Sequence, residues 1–112
     1  MVALPIPVSE TPAALVVVNV FTPKPGMLDD FIAAQSAGLR RLSGRIPGLR
    51  GGRFYRADDG SRAVLVSAFD SETQYGAWTA SAEFAEHRAR LVPFIERAEA
   101  VRYGQVYSAG KL

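Results

Sequence analysis

The sequence has no cysteine and only one histidine, His87. The first absence removes disulfides, thiolate nucleophiles, CxxC redox chemistry, iron–sulfur clusters and cysteine zinc sites. The second removes every site that needs two imidazoles, including the two-histidine-one-carboxylate iron site. Asparagine and tryptophan also occur once each, as Asn19 and Trp78. No GxGxxG and no GxxxxGK[ST] is present, so neither a dinucleotide fingerprint nor a phosphate loop is encoded. Ser61, Ser67, Ser71 and Ser81 lack a GxSxG setting, and one histidine leaves few ways to build a triad. Glu83 and Glu86 flank His87 but fall on different helix faces, so they form no paired acid/base site. The longest apolar run, Ala13 to Val18, is far too short to span a bilayer. The first residues, MVALPIPVSETP, carry three prolines and no basic stretch, so no signal peptide is expected and a cytoplasmic location is the default.

What is present describes one ordinary domain. The chain has 112 residues, 48% hydrophobic and 21% charged, which excludes a disordered chain and suffices for a single core without staples. Thirteen Lys and Arg stand against eleven Asp and Glu, for a net charge of +2. No face reads as a basic stripe with interleaved aromatics, so no nucleic-acid partner is expected. The Pro-rich residues 1–12 read as an N-terminal arm, and residues 13–112 as a single domain.

Residues 14–22, ALVVVNVFT, predict a strand, because β-branched residues dominate and Pro23 and Pro25-Gly26 follow at once. Alternation puts Leu15, Val17, Asn19 and Phe21 on one face and Val16, Val18 and Val20 on the other. Residues 27–44 predict an amphipathic helix, with Leu28, Phe31, Ile32, Gln35, Leu39, Leu42 and Ile46 on the 3.6-residue period. Asp29 and Asp30 suit its positive end and Arg40, Arg41 and Arg45 its negative end. Residues 49–57 and 62–69 predict a hairpin around Ala57-Asp58-Asp59-Gly60-Ser61. Gly51-Gly52 allows a bulge or a close backbone approach there. Ser71-Glu72-Thr73-Gln74 is a capping box that opens a helix to about Thr79. Ser81 predicts a second start, with a helix running through Ala98 and kinked at Pro93. Residues 100–108 predict the last strand.

The order β-α-β-β-α-β is the ferredoxin-like arrangement, an α+β fold with a four-stranded antiparallel sheet. Its helices cover one sheet face. The other face carries the row Val16, Val18 and Val20 with nothing in the chain to cover it, and exposed apolar faces mark partner surfaces. A homodimer that packs two such sheets into a shared α/β barrel is the expected cover.

Three residues stand out as carriers of chemistry, each with a plain structural alternative. Asn19 sits mid-strand among valines, where asparagine is depleted, and its amide needs partners if buried; it satisfies either a neighbouring loop or a ligand. Trp78 follows Tyr75 at i+3 on one helix stripe, as a core aromatic or a pocket wall. His87 shares a stripe with Phe84 and Leu91, as a satisfied core imidazole or as a base. Arg88, one step round, is placed to snorkel to solvent.

The strand VNVFTPKPG before a helix, the turn-and-strand IPGLRGGRFYR, and the run FDSETQYGAWTASAEFAEH together resemble the antibiotic biosynthesis monooxygenase superfamily, from about Leu15 to Tyr107. The resemblance implies a dimeric ferredoxin-like barrel. One branch oxidises polycyclic phenols to quinones with O2 and no metal or cofactor, in some members with an Asn on the first strand and a Trp on the short helix. Asn19 and Trp78 fall on those positions, and Tyr75 and Arg88 fit polar positions used there. Other members place an Asn and a Trp on the third strand, where this chain has Leu65 and Phe69, so that version of the site is absent. A second branch degrades heme with an Asn, a Trp and an iron-ligating His, and Asn19, Trp78 and His87 match all three.

The resemblance thus implies a small cofactor-independent monooxygenase acting on an electron-rich aromatic or polyketide-like molecule. Asn19, Trp78 and His87 would be catalytic, and Tyr75, Phe84 and Arg88 would contact substrate. The alternatives are a heme-degrading monooxygenase, with heme as cofactor and His87 on the iron, and a non-enzymatic dimer that binds a small apolar ligand. Triplet O2 reacts slowly with closed-shell organics, so without a cofactor the substrate itself supplies the electron. His87 is then the natural base, since its ordinary pKa lies near neutrality. Both mechanisms require Asn19, Trp78 and His87 to converge on one cavity between the helices and the sheet.

Overall fold

A computed structural model describes residues 14–107 and 109–110; the arm of residues 1–12 lies outside them. The elements are β1 (Leu15–Pro23), α1 (Leu28–Leu42), β2 (Leu49–Arg56), β3 (Ala63–Phe69), α2 (Glu72–Thr79), α3 (Ala82–Leu91), a single 3-10 turn (Val92–Phe94) and β4 (Ile95–Gly104). The sheet order is β2-β3-β1-β4 with every neighbouring pair antiparallel. This is the ferredoxin-like α+β fold, with β1 at the sheet's interior and paired on both sides. The hairpin carries its irregularity between Leu49 and Gly51, at the start of β2.

The second half departs from the expectation at both ends of the last strand, which also stops at Gly104, short of its expected end. The helix does not continue through Ala98: it ends at Leu91, and β4 begins at Ile95. Pro93 lacks an amide hydrogen and cannot donate the next helical bond, so the helix gives way to the 3-10 turn at Val92–Phe94. The following Ile-Glu-Arg-Ala-Glu-Ala favours helix by local propensity. Pairing with β1 from Pro23↔Ile95 to Leu15↔Gly104 overrides that preference.

All three helices lie on the side of β1 that bears Val17 and Phe21. Phe31 of α1 is fully buried and packs its ring 4.9 Å from Phe21 and 6.0 Å from Phe54. Phe21 and Phe31 form the core cluster with Ala63 and Leu91, and Phe54 packs against it; burying a phenyl ring of this kind contributes about 1.5–3 kcal/mol. The cluster fills one end of the space between helices and sheet and leaves the rest to the cavity described below. The opposite sheet face carries an apolar strip along β1 and β3, bordered by Arg53 of β2 and Glu99 of β4. Register places Val18 between Val66 and Val101, Val16 between Ala68 and Tyr103, and Val20 between Val64 and Glu99. Val101 and Tyr103 are each about half exposed. Among the described residues no helix is long and apolar enough to cross a membrane.

Candidate active site

Between the helices and the sheet lies a cavity of about 490 Å³, within the size range of small-molecule sites. Its floor is formed by Val17, Asn19 and Phe21 of β1, with Leu65 and Ser67 of β3 on one side and Ala98 and Ala100 of β4 on the other. Register explains the opening. Asn19 is paired with Leu65 and Ala100, and Phe21 with Ala98, so β4 offers only methyl groups beside Asn19 and Phe21. Alanine is a poor strand former, and here its small side chain leaves room above the sheet.

All six residues singled out in the sequence line this one cavity: Asn19, Tyr75, Trp78, Phe84, His87 and Arg88. Serine chemistry at the α2–α3 junction places three of them. The Ser71 hydroxyl accepts from the Gln74 amide at 3.2 Å and opens α2. The Ser81 hydroxyl donates to the Trp78 carbonyl at 2.6 Å and accepts from the Phe84 amide at 3.1 Å. One side chain therefore ends α2 and starts α3, and each such cap stabilises by roughly 1 kcal/mol. The rings of Trp78 and Phe84 meet edge to face at 5.5 Å and 87°, and Tyr75 packs on Phe69 at 5.1 Å. The result is an aromatic wall, with exposed Arg88 beside it.

His87 is 9% exposed. Its imidazole lies against Gly38 of α1: a methyl group placed there would overlap its Cε1 and Nδ1. Burial holds its pKa below the ordinary 6.5, and the guanidinium groups of Arg41 and Arg90 lower it further. The ring is therefore neutral at pH 7, with a free lone pair for a proton. Among the described residues no group of three or more His, Asp or Glu side chains is arranged to hold a metal ion.

One polar wall residue escaped the sequence reading. Gln35 of α1 was placed on the helix's apolar stripe, and it is there, 1% exposed and facing the cavity. Its carbonyl oxygen is buried without a hydrogen-bond partner, at a cost of about 1–3 kcal/mol. The signal was a glutamine at a position where the period calls for leucine.

The fold and this cavity define a small ferredoxin-like protein with a chamber between helices and sheet. The antibiotic biosynthesis monooxygenase profile matches residues 14–90, and the chain belongs to that family. Among solved structures, a mutant of SnoaB, a cofactor-independent oxygenase from Streptomyces nogalater, superposes with a TM-score of 0.76 at 17% identity, covering 88% of this chain and 98% of SnoaB. Rv0793 from Mycobacterium tuberculosis gives 0.74 at 19% identity, over 87% and 99% of the two chains. SO0527 from Shewanella oneidensis gives 0.72 at 20% identity, over 83% and 91%. These likenesses establish the fold. No curated protein matches the chain in sequence.

Proposed function

We propose that this protein is a cofactor-independent monooxygenase that oxidises an electron-rich aromatic or polyketide-like compound with O2. The observation that carries the proposal is the buried imidazole of His87 on the wall of a mainly apolar chamber that also holds the amide of Asn19 and the rings of Tyr75 and Trp78. The kinship with a family that contains such oxygenases supports the same reading.

The chemistry follows from the side chains. Trp78, Tyr75 and Phe84 take a planar ring system against their faces and exclude water from it. His87 removes a proton from the acidic carbon or hydroxyl of the substrate, leaving a carbanion or phenolate. That anion gives one electron to O2, and the resulting radical pair combines to a peroxide. Loss of water from the peroxide leaves a carbonyl, so an anthrone and O2 become an anthraquinone and H2O. The Asn19 amide donates a hydrogen bond to the developing oxyanion or peroxide. Arg88 at the chamber wall attracts an anionic substituent.

The homodimer belongs to the same proposal. The valines of β1 and β3 on this face, with half-exposed Val101 and Tyr103, are covered by nothing in the chain's described residues, and a second copy presents the matching surface.

A neutral buried imidazole is also an iron ligand, so the donor set of Asn19, Trp78 and His87 fits heme as well. Heme would supply the oxygen-activating iron, with His87 binding it and Trp78 packing beside it. Oxygen consumption with a hydroxyanthrone, in metal-free buffer, tests the leading reading. Uptake matched one-to-one with quinone and abolished in His87→Ala supports it. A stoichiometric Soret shift with hemin, lost in His87→Ala and with no anthrone oxidation, replaces it with the heme reading. Neither response across a panel of phenols leaves a ligand-binding dimer.

A further inference from the structure

Among the described residues, the carbonyl oxygen of Gln35 is the buried side-chain polar atom that has no hydrogen-bond partner. Its setting makes that unusual. On the same face of α1, Phe31 and Leu42 are buried apolar residues, and Gly38 admits His87. Leucine or methionine at position 35 would fill the slot with no polar atom to satisfy. A glutamine held there at 1% exposure has no partner for its carbonyl among the described residues. Buried polar atoms of folded proteins are otherwise nearly always paired. The partner that is missing inside the protein is supplied by what enters the cavity, whose wall Gln35 forms.

The chemistry of that partner follows from the atom. A carbonyl oxygen accepts only, so the ligand must donate. A ligand hydroxyl that the side chain turns to meet supplies the missing hydrogen bond, whereas a bare hydrocarbon edge leaves the carbonyl unpaired as it is in the free protein. Asn19, on the sheet side of the same cavity, is a second amide, so the ring system lies between two polar walls of different origin. We propose that Gln35 is a substrate-recognition residue. Its carbonyl accepts a hydrogen bond from a hydroxyl group on the aromatic ligand, and this makes the protein selective for hydroxylated ring systems over the unsubstituted ring. The inference rests on the reading of the cavity as an aromatic-ligand site.

The single tryptophan makes the test direct, because Trp78 lies in the cavity wall and is the only indole in the chain. Quenching of its fluorescence is titrated under argon, where no turnover occurs, with two probes: a dihydroxyanthrone and the parent anthrone. The wild-type protein binds the hydroxylated probe at least about tenfold more tightly, the worth of one buried hydrogen bond. In Gln35→Met the two affinities converge, through loss on the hydroxylated probe alone. The melting temperature of the free variant rises by roughly 2–4 °C, because the orphaned carbonyl is gone. Gln35→Leu gives the same ordering of the two probes.

Equal affinity of the wild type for both probes overturns the inference and leaves the aromatic-ligand reading standing. So does a preference that survives in Gln35→Met, or an equal loss for both probes with a lowered melting temperature, which marks a packing role. Absence of quenching by either probe in the wild type overturns the aromatic-ligand reading, and this inference with it.

Discussion

The imidazole of His87 occupies the notch that Gly38 leaves on α1, with its Cε1 and Nδ1 atoms inside the space a methyl group at position 38 would take. Glycine in the middle of a helix is unfavourable by about 1 kcal/mol relative to alanine, and here the absence of a side chain gives the ring its seat. Gly38→Ala sets two effects against each other. Helix propensity returns about 1 kcal/mol, while overpacking against His87 costs about 1–3 kcal/mol. The expected outcome is a net loss of up to about 2 kcal/mol in urea unfolding. In the His87→Ala background the same substitution is stabilising by about 1 kcal/mol, because the obstacle is gone. A double-mutant cycle measures the difference, and additive effects would show that the ring does not sit in the notch.

The lone histidine makes its own titration readable, since one imidazole Hε1 resonance arises from the whole chain. Its midpoint lies below 6.5, from burial first and then from Arg41 and Arg90. Arg41→Gln moves the midpoint upward, toward the ordinary value. The sign for stability follows from linkage. The unfolded chain binds the proton more readily than the folded one, so stability is full above pH 6.5 and declines as pH falls toward the folded midpoint. Anthrone oxidation shows its acid limb at the same midpoint if His87 is the base. A wild-type midpoint at or above 6.5 contradicts the burial of the ring.

Asn19→Val separates chemistry from folding. Valine is a better strand former than asparagine and matches its neighbours, so the melting temperature holds or rises. Loss of the amide that faces the developing oxyanion lowers kcat by roughly a hundredfold. Steady-state oxygen uptake checks this, and an unchanged kcat would remove Asn19 from the mechanism.

Val18 stands at the middle of the bare sheet face, between Val66 and Val101. Light scattering at micromolar concentration gives a dimer mass for the wild type. Val18→Asp places a charge at the centre of that contact and gives a monomer mass, since an unpaired carboxylate is not buried without a partner. A wild-type monomer at that concentration removes the barrel from the proposal.

The parts of this molecule that were legible in the sequence are those fixed by a strict period. Two-residue alternation in β1 places Val17, Asn19 and Phe21 on the helix side, and the helical stripe of α3 carries Phe84, His87 and Leu91 into the same space. Ser71 and Ser81 cap the helices that the capping signals mark. The boundary at Pro93 was misread because Glu96, Arg97 and Ala98 favour helix locally, and only pairing with β1 makes them strand. Gln35 was placed correctly and its meaning missed. Periodicity reports which side a residue faces, and the solvation of a single carbonyl depends on what surrounds it in three dimensions.

The site is built from a stiff half and a loose half. β1 is hydrogen-bonded along both edges and forms the cavity floor, whereas α2, which bears Tyr75 and Trp78, has no buried residue. Amide exchange will therefore be slowest beneath Asn19 and fastest along α2, since local opening follows the number of buried contacts. In the proposed mechanism the amide that meets the oxyanion lies on the slowly exchanging strand, and the rings that would cover the substrate lie on the quickly exchanging helix. If the chamber opens, α2, capped at its ends by Ser71 and Ser81, gives way before the sheet does.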